Sequence, residues 1–452
     1  LFGHPIVATG LGPPVVLFIV LVLLQLLPLP PALVKLVSPA TARLDAESLP
    51  GYAGGQEVDF ARTGSFLAGA GHDATVSRIL EAPDDAPKGL SVRGSVYRPL
   101  SMYPYSTVDR LIVLLCLCIV FAVSLHVLSS RERIEWLLRA LVLFGFALAL
   151  FGIIQRLSWN GKIFWLIPVD PGASPFGPFV NHNHFAAYLA MIVPVATGLL
   201  MDEARRLLPG ATGRLVATHG PEPFARLLLA AFVVGLMSGA VVLSASRGAV
   251  LALLGAFFLY GGALAVQGRF GRMETAAAVL LLVVAVSLSF WLGAGPLAQK
   301  LKAIGNVESE PSLYSRVLGY RATVDIIQSF PLAGTGLGTF PHAWKHVYPP
   351  GTASVWHEAH NDYLQLFAEA GAAGFAIFLA GLAIFAWRYL LPGILGRRSP
   401  QSYAVHGAAV GIVAAALHSA VDFPLQVAGC AVLFVVLSAA VVSHRRLVEA
   451  GA

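Results

Sequence analysis

Apolar residues run along the chain in stretches close to twenty positions long, broken by short connections rich in arginine, glycine and proline. The stretches fall near 14–29, 108–128, 135–154, 183–201, 227–243, 248–266, 275–293, 363–387, 403–420 and 425–443. A helix needs about 20 apolar residues to cross the hydrocarbon core of a bilayer, so the pattern predicts ten spans. Short basic connections orient them: Arg131-Glu132-Arg133, Arg205-Arg206 through Arg214 to Arg226, Arg269 with Arg272, Arg397-Arg398, and Arg445-Arg446. All fall on one side if the spans alternate, and that side is expected to be cytoplasmic.

The remaining connections face outward and divide the chain. Residues 1–29 give a first span, 30–107 an outer segment, 108–293 a block of membrane helices, 294–362 a second outer loop, and 363–452 the closing helices. Residues 30–107, opened by Pro28, Pro30 and Pro31, are expected to form a small, partly ordered cap. Residues 155–182, with Trp159, Phe164 and Trp165, suggest an interfacial helix or re-entrant element. In the second outer loop a helix opens at Pro311, and a glycine-rich turn follows at Gly334–Phe340. The chain begins at Leu1 rather than Met, which leaves room for a span upstream.

Composition agrees with this class. Of 452 residues 57% are hydrophobic and 12% charged, against about 25% charged in a soluble domain. A net charge of +6, carried mainly in short loops, speaks for topology rather than nucleic acid binding. Cys116, Cys118 and Cys430 lie inside apolar runs and have neither disulfide nor zinc spacing.

The candidate chemistry gathers at the outer ends of spans. Trp356-His357-Glu358-Ala359-His360-Asn361-Asp362-Tyr363 sets ionisable residues at the mouth of a long apolar run, where they are costly unless functional. Two further inward-running spans open after Asn181-His182-Asn183-His184 and after Ser244-Ala245-Ser246-Arg247-Gly248. Helix N-termini present unpaired N–H groups, so three of them beside an arginine would suit a phosphate or diphosphate. Arg247 reads either as a snorkelling interfacial residue or as a phosphate ligand, and its place against the positive-inside trend favours the second. Arg316 and Arg321 diverge by about 140° on a helix, so one faces the site and the other solvent; Arg316 is the choice for the site, with Arg321 kept as a binding candidate. His360 is the candidate base, since a neutral imidazole can take a proton from a sugar hydroxyl near pH 7. His357 and His360 lack the H-E-x-x-H spacing of a zinc helix. His182 and His184 suit structural or hydrogen-bonding roles as well as catalysis. His418 and Asp422, four apart at a span's outer end, form either a supporting pair for the pocket or a self-satisfied helix end. Gly371, Gly374 and Gly381 read as close-packing positions between helices.

His360-Asn361, nine residues, Gly371, two residues and Gly374 resembles the H-[NSQ]-x9-G-x-x-G signature of the O-antigen ligase and polymerase superfamily. Ser246-Arg247-Gly248 is similar to that family's other arginine motif. Arg316 ahead of Pro331-Leu332-Ala333-Gly334-Thr335-Gly336-Leu337-Gly338 resembles its outer-loop arginine and P-L-x-G-x-G-x-G turn, and Gly177–Ala186 resembles a further common element. The likeness spans roughly residues 170–430.

It implies an all-α polytopic bundle of the GT-C type in the bacterial inner membrane, with 30–107 and 294–362 periplasmic. It implies transfer of a glycan from undecaprenyl diphosphate to an acceptor hydroxyl at the periplasmic face, with inversion and without cofactor or metal ion. The acceptor would be lipid A-core in a ligase or a second lipid-linked glycan in a polymerase. Arg247 and Arg316 would bind the diphosphate and His360 would activate the acceptor; Asn181, His182, His184, Ser246, Arg321, Asn361, His418 and Asp422 complete the candidate binding set. The 30–107 segment is long for a ligase, which keeps the polymerase open. A transporter or flippase would instead show inverted repeats, broken helices and charges near the midplane.

Overall fold

The computed structural model describes residues 9–48, 57–58, 90–91, 97–170, 172–207, 221–266, 311–347, 356–392 and 402–451. The described chain is helical, with two short antiparallel strand pairs. The helices are α1 Gly12–Leu26, α2 Pro31–Val37, α3 Pro39–Ser48, α4 Pro104–Val127, α5 Arg131–Leu157, α6 His182–Leu207, α7 Pro221–Leu243, α8 Arg247–Val266, α9 Pro311–Ser329, α10 Phe340–Val347, α11 Asp362–Phe385, α12 Tyr403–His418 and α13 Ala428–Glu449. Strands β1 (Glu57–Val58) and β2 (Leu90–Ser91) pair antiparallel, as do β3 (Lys162–Ile163) and β4 (Ile167–Pro168). Among the described residues α4, α5, α6, α7, α8, α11 with the turn that extends it to Leu390, and α13 are the seven helices long and apolar enough to span a membrane. Helices α1 and α12 are apolar but shorter. The expected span 275–293 lies outside the described residues, as does most of the expected cap.

The bundle is organised on α6, whose apolar window is 83% buried, whereas that of α4 is 11% buried and lies at the periphery. Without a hydrophobic drive between helices in lipid, small residues decide where backbones meet. A Cβ on Gly198 would lie 2.2 Å from the Tyr403 carbonyl oxygen, one on Gly407 2.1 Å from that of Pro194, and one on Gly411 2.2 Å from that of Met191. Helices α6 and α12 therefore pack backbone against backbone. At the far end of this pair Asp202 accepts from the Tyr403 and Ala404 amides at 2.9 and 3.2 Å and from Ser402 Oγ at 2.8 Å, capping α12.

Helix α11 is interrupted at Gly371, which adopts φ 65°, ψ −174°. The turn from Pro331 to Gly338 fills the break. The Ala372 and Ala373 amides donate to the Pro331 and Leu332 carbonyls at 2.8 and 3.2 Å, while the Ala368 and Glu369 carbonyls accept from Thr335 and Gly336 at 3.0 and 2.9 Å. The fully buried Glu369 carboxylate then takes the Gly338 and Phe340 amides at 2.8 and 3.2 Å. Gln25 of α1 closes the arrangement, donating to the Ala333 and Glu369 carbonyls at 2.7 and 2.9 Å and accepting from Leu337. The turn and Gln25 thus supply partners for the Ala372 and Ala373 amides and the Ala368 and Glu369 carbonyls, as a broken membrane helix requires of its freed backbone groups. Gly371 is thus not a packing position between straight helices; it supplies the left-handed backbone and the room for the Leu332 carbonyl, 2.3 Å from where its Cβ would be. Gly374 does pack between helices, against Leu21 and Phe18 of α1.

Among the described residues, those between Leu157 and His182 form no interfacial helix. They fold as the β3–β4 hairpin, with Phe164 and Trp165 in left-handed conformation at its exposed tip. The two adjacent aromatics pack on Phe151 of α5 at 5.4 and 5.9 Å between ring centres, and that contact sets a turn where apolar composition alone suggests a helix.

A histidine, a carboxylate and an arginine at one end of the bundle

Asn361 is the N-cap of α11. Its Oδ1 accepts from the Tyr363 and Leu364 amides at 3.0 Å each, and its Nδ2 donates to the Ala420 carbonyl at 2.8 Å. The next residue, Asp362, donates its amide to the Ser419 carbonyl at 2.9 Å and accepts from Ser419 Oγ at 2.8 Å and the Leu425 amide at 3.1 Å. The start of α11 is therefore sewn to the turn between α12 and α13. This fixes the position of His360, held at φ 51° with its carbonyl accepting from Tyr320 Oη at 3.0 Å. A left-handed backbone is uncommon for a residue other than glycine and is retained where the surroundings over-determine it.

The consequence is one cluster drawn from three parts of the chain. His360 Nδ1 lies 3.2 Å from Asp422 Oδ1, and Arg316 Nη2 lies 3.6 Å from Asp422 Oδ2. Arg316 Nη1 also donates to the Val421 carbonyl at 2.9 Å. The Asp422 side chain is 2% exposed, against 28% for His360 and 24% for Arg316. The carboxylate is a buried support, and the two groups it holds reach outward. Burial works to raise the Asp422 pKa, yet the His360 hydrogen bond and the charge of Arg316 outweigh it and hold the group down to about 2. As an ionised acceptor Asp422 accepts a hydrogen bond from His360 Nδ1, which leaves Nε2 as the ring nitrogen not engaged by the carboxylate.

Aromatic rings fix the imidazole. Phe423 stands edge-on to His360 and to His184, both at 4.8 Å, and Trp356 meets His360 edge-on at 5.1 Å while stacking on Trp344 at 5.4 Å. A Cβ on Gly319 would lie 2.5 Å from the Trp356 ring, so the glycine beside Tyr320 makes space for it. Arg247 reaches the same neighbourhood through its backbone. Ser246 caps α8 by accepting from the Ala249 amide at 3.4 Å, and Gly248 packs where a Cβ would lie 3.0 Å from His418 Nε2 and 3.2 Å from Val421. The half-buried Arg247 therefore opens α8 beside the 418–422 turn that carries Asp422 and anchors Arg316.

Several sequence candidates take other places. Asn181, Ser246 and Asn361 spend their side chains on helix caps, Asn181 accepting from the Asn183 amide at 2.9 Å. Arg321 is exposed and makes none of the cluster's contacts, as its 140° offset from Arg316 requires. His418 is 1% exposed with neither ring nitrogen hydrogen-bonded among the described residues, so it lies behind the cluster and does not face a ligand. Its expected pairing with Asp422 is replaced by the pairing of Asp422 with His360. His184 is part-buried against Phe423, and His182 bonds Ser174 Oγ at 2.7 Å. Sequence reasoning missed Tyr320 and Phe423, and it placed Trp356 in the polar run without giving it a role.

Residues 232–379 match the family model for O-antigen ligase, a span that begins in α7 and ends in α11. A comparison with curated proteins finds no match. The matched span holds Arg247, Arg316, His360, the glycine-rich turn and the Gly371 break that the turn fills, and over that span this multi-pass membrane chain is similar to the O-antigen ligase family.

Proposed function

We propose that this chain transfers a glycan from undecaprenyl diphosphate to an acceptor hydroxyl at the periplasmic face of the inner membrane, with lipid A-core as acceptor. The observation that carries the reading is the part-exposed His360 and Arg316 pinned to one buried Asp422 carboxylate. His360 Nε2 takes the acceptor's hydroxyl proton as its oxygen bonds to the anomeric carbon. The bond from that carbon to the diphosphate oxygen breaks, and the electron pair leaves with the diphosphate. Attack from the opposite face inverts the anomeric centre. Asp422 stabilises the imidazolium that forms, and Arg316 and Arg247 offset the charge developing on the leaving diphosphate. No metal ion or cofactor enters these steps.

A transporter would use a broken helix to offer open backbone carbonyls to its cargo. At Gly371 those groups are taken by the chain's own turn, which favours the enzyme.

The test is reconstituted protein with carrier-linked glycan, with and without lipid A-core. Product that requires lipid A-core is expected; a ladder of longer carrier-linked chains without it would make the protein a polymerase. His360→Asn, which tolerates the left-handed backbone, should lower turnover by about 10²–10⁴ while donor binding persists. A rate near wild type would remove His360 from the base role.

A further inference from the structure

The described residues also enclose a pocket of about 560 Å³ that the mechanism does not use. It is bounded by the end of α5, the β3–β4 hairpin, the start of α6 and the turn from α7 into α8. Its chemistry comes from Arg156, Trp159, Asp170, Ser174 and His182. Among the described residues neither Arg156 nor Asp170 is taken up in an ion pair, and both are exposed. The inner wall is Leu243, Ser244 and Ala245. Ala245 turns through φ 59°, so the strand of backbone that lines the cavity becomes, two residues later, the Arg247 turn of α8. On its other side, His182 is two residues from His184, which shares Phe423 with His360.

We infer that this cavity is a saccharide subsite. Its size falls within the range of about 300–1,000 Å³ typical of small-molecule sites, enough for a short oligosaccharide. An indole offers an apolar wall to the C–H face of a sugar ring. A carboxylate, a guanidinium, an imidazole and hydroxyls converge as acceptors and donors for ring hydroxyls. A lipid tail would leave these charged groups desolvated and unmatched. The inference rests on the transferase reading for which sugar arrives there, since both the donor's glycan and a glycosylated acceptor present this chemistry.

Full-length protein in nanodiscs separates the cases. The lipid-free oligosaccharide, released by mild acid from the carrier-linked pool, is titrated calorimetrically into wild type, Trp159→Ala, Asp170→Asn and His360→Asn. Wild type and His360→Asn should bind alike, and the two cavity variants about tenfold more weakly with unchanged melting temperatures. In transfer assays the same two variants should raise KM about tenfold for whichever substrate carries the sugar, donor or acceptor, with kcat within about threefold. Undecaprenyl diphosphate without sugar should inhibit all four equally. No saturable binding to wild type, or equal binding and equal KM values in the cavity variants, overturns the subsite. Wild type that binds the oligosaccharide but transfers nothing upholds the subsite and sinks the transferase reading instead.

Discussion

Replacing Asp422 by Asn tests the centre of the argument, because it removes one charge and little volume. The carboxyl falls from an ordinary 3.8 to about 2 even though burial pushes it upward. At about 1.4 kcal/mol per pH unit, the drop means the folded state favours the carboxylate by about 2 kcal/mol. The group's folded pKa is depressed, so this contribution is fully present above pH 4 and is lost as pH falls from about 4 to about 2. Asp422→Asn should therefore lower stability at pH 7 by about 2 kcal/mol, and more if Arg316 and His360 are left poorly paired. It should also flatten the loss of stability between pH 4 and 2. Turnover should fall by about 10²–10⁴, because an amide no longer stabilises the imidazolium and can turn the wrong edge to Nδ1. The assay is thermal unfolding in nanodiscs at fixed scan rate across pH 2–7, beside single-turnover transfer at pH 7. A variant with the wild-type pH profile and a rate within about threefold of wild type would refute the view that Asp422 holds His360.

Other positions give sharper contrasts. Gly371→Ala should destabilise by about 3 kcal/mol or more, since its Cβ would sit 2.3 Å from a carbonyl oxygen at positive φ; the yield of folded protein and the melting temperature report it. Glu369→Gln keeps the shape but gives the Gly338 and Phe340 amides a single acceptor oxygen, so a loss of about 1–3 kcal/mol is expected in the same unfolding assay. Arg316→Lys cannot bond the Val421 carbonyl and Asp422 in one fork and should cut kcat/KM about 10–100-fold. Arg321→Ala should leave kcat/KM within about twofold, which separates the two arginines in one experiment.

Seven of the ten expected spans are helices long enough to cross among the described residues, legible because lipid imposes a single rule, about twenty apolar residues per helix. Segment 403–420 shows the limit of that rule: its helix is short, and what marks it as central is the contact of Gly407 and Gly411 with α6 backbone, which no hydropathy window registers. The hairpin at 162–168 was misread because aromatic composition is shared by interfacial helices and turns. Of the candidate site, Arg247, Arg316 and His360 stand out in the sequence as polar residues where polarity is costly. Asp422 was seen, but with the wrong partner: spacing of four along the chain suggested His418, while the sewn start of α11 brings His360, 62 residues away, to its carboxylate.

That sewing joins the two glycine motifs to the chemistry. Glu369 carries the amides of Gly338 and Phe340 and accepts from Gln365 Nε2 at 3.2 Å, while Gln365 Oε1 accepts from the Ala359 amide at 3.0 Å, one residue before His360. A polar chain thus runs from the glycine-rich turn, through one buried carboxylate and one amide, to the backbone that sets the base. The Gly371 break exposes the Glu369 carbonyl to that turn, and the turn in turn orients Glu369. Shortening Gln365 to Asn would cut the chain between a structural motif and the proposed base without touching either. If the glycines serve the base in this way, Gln365→Asn should lower kcat well beyond its effect on melting temperature, and equal small losses in both would confine the glycine motifs to packing.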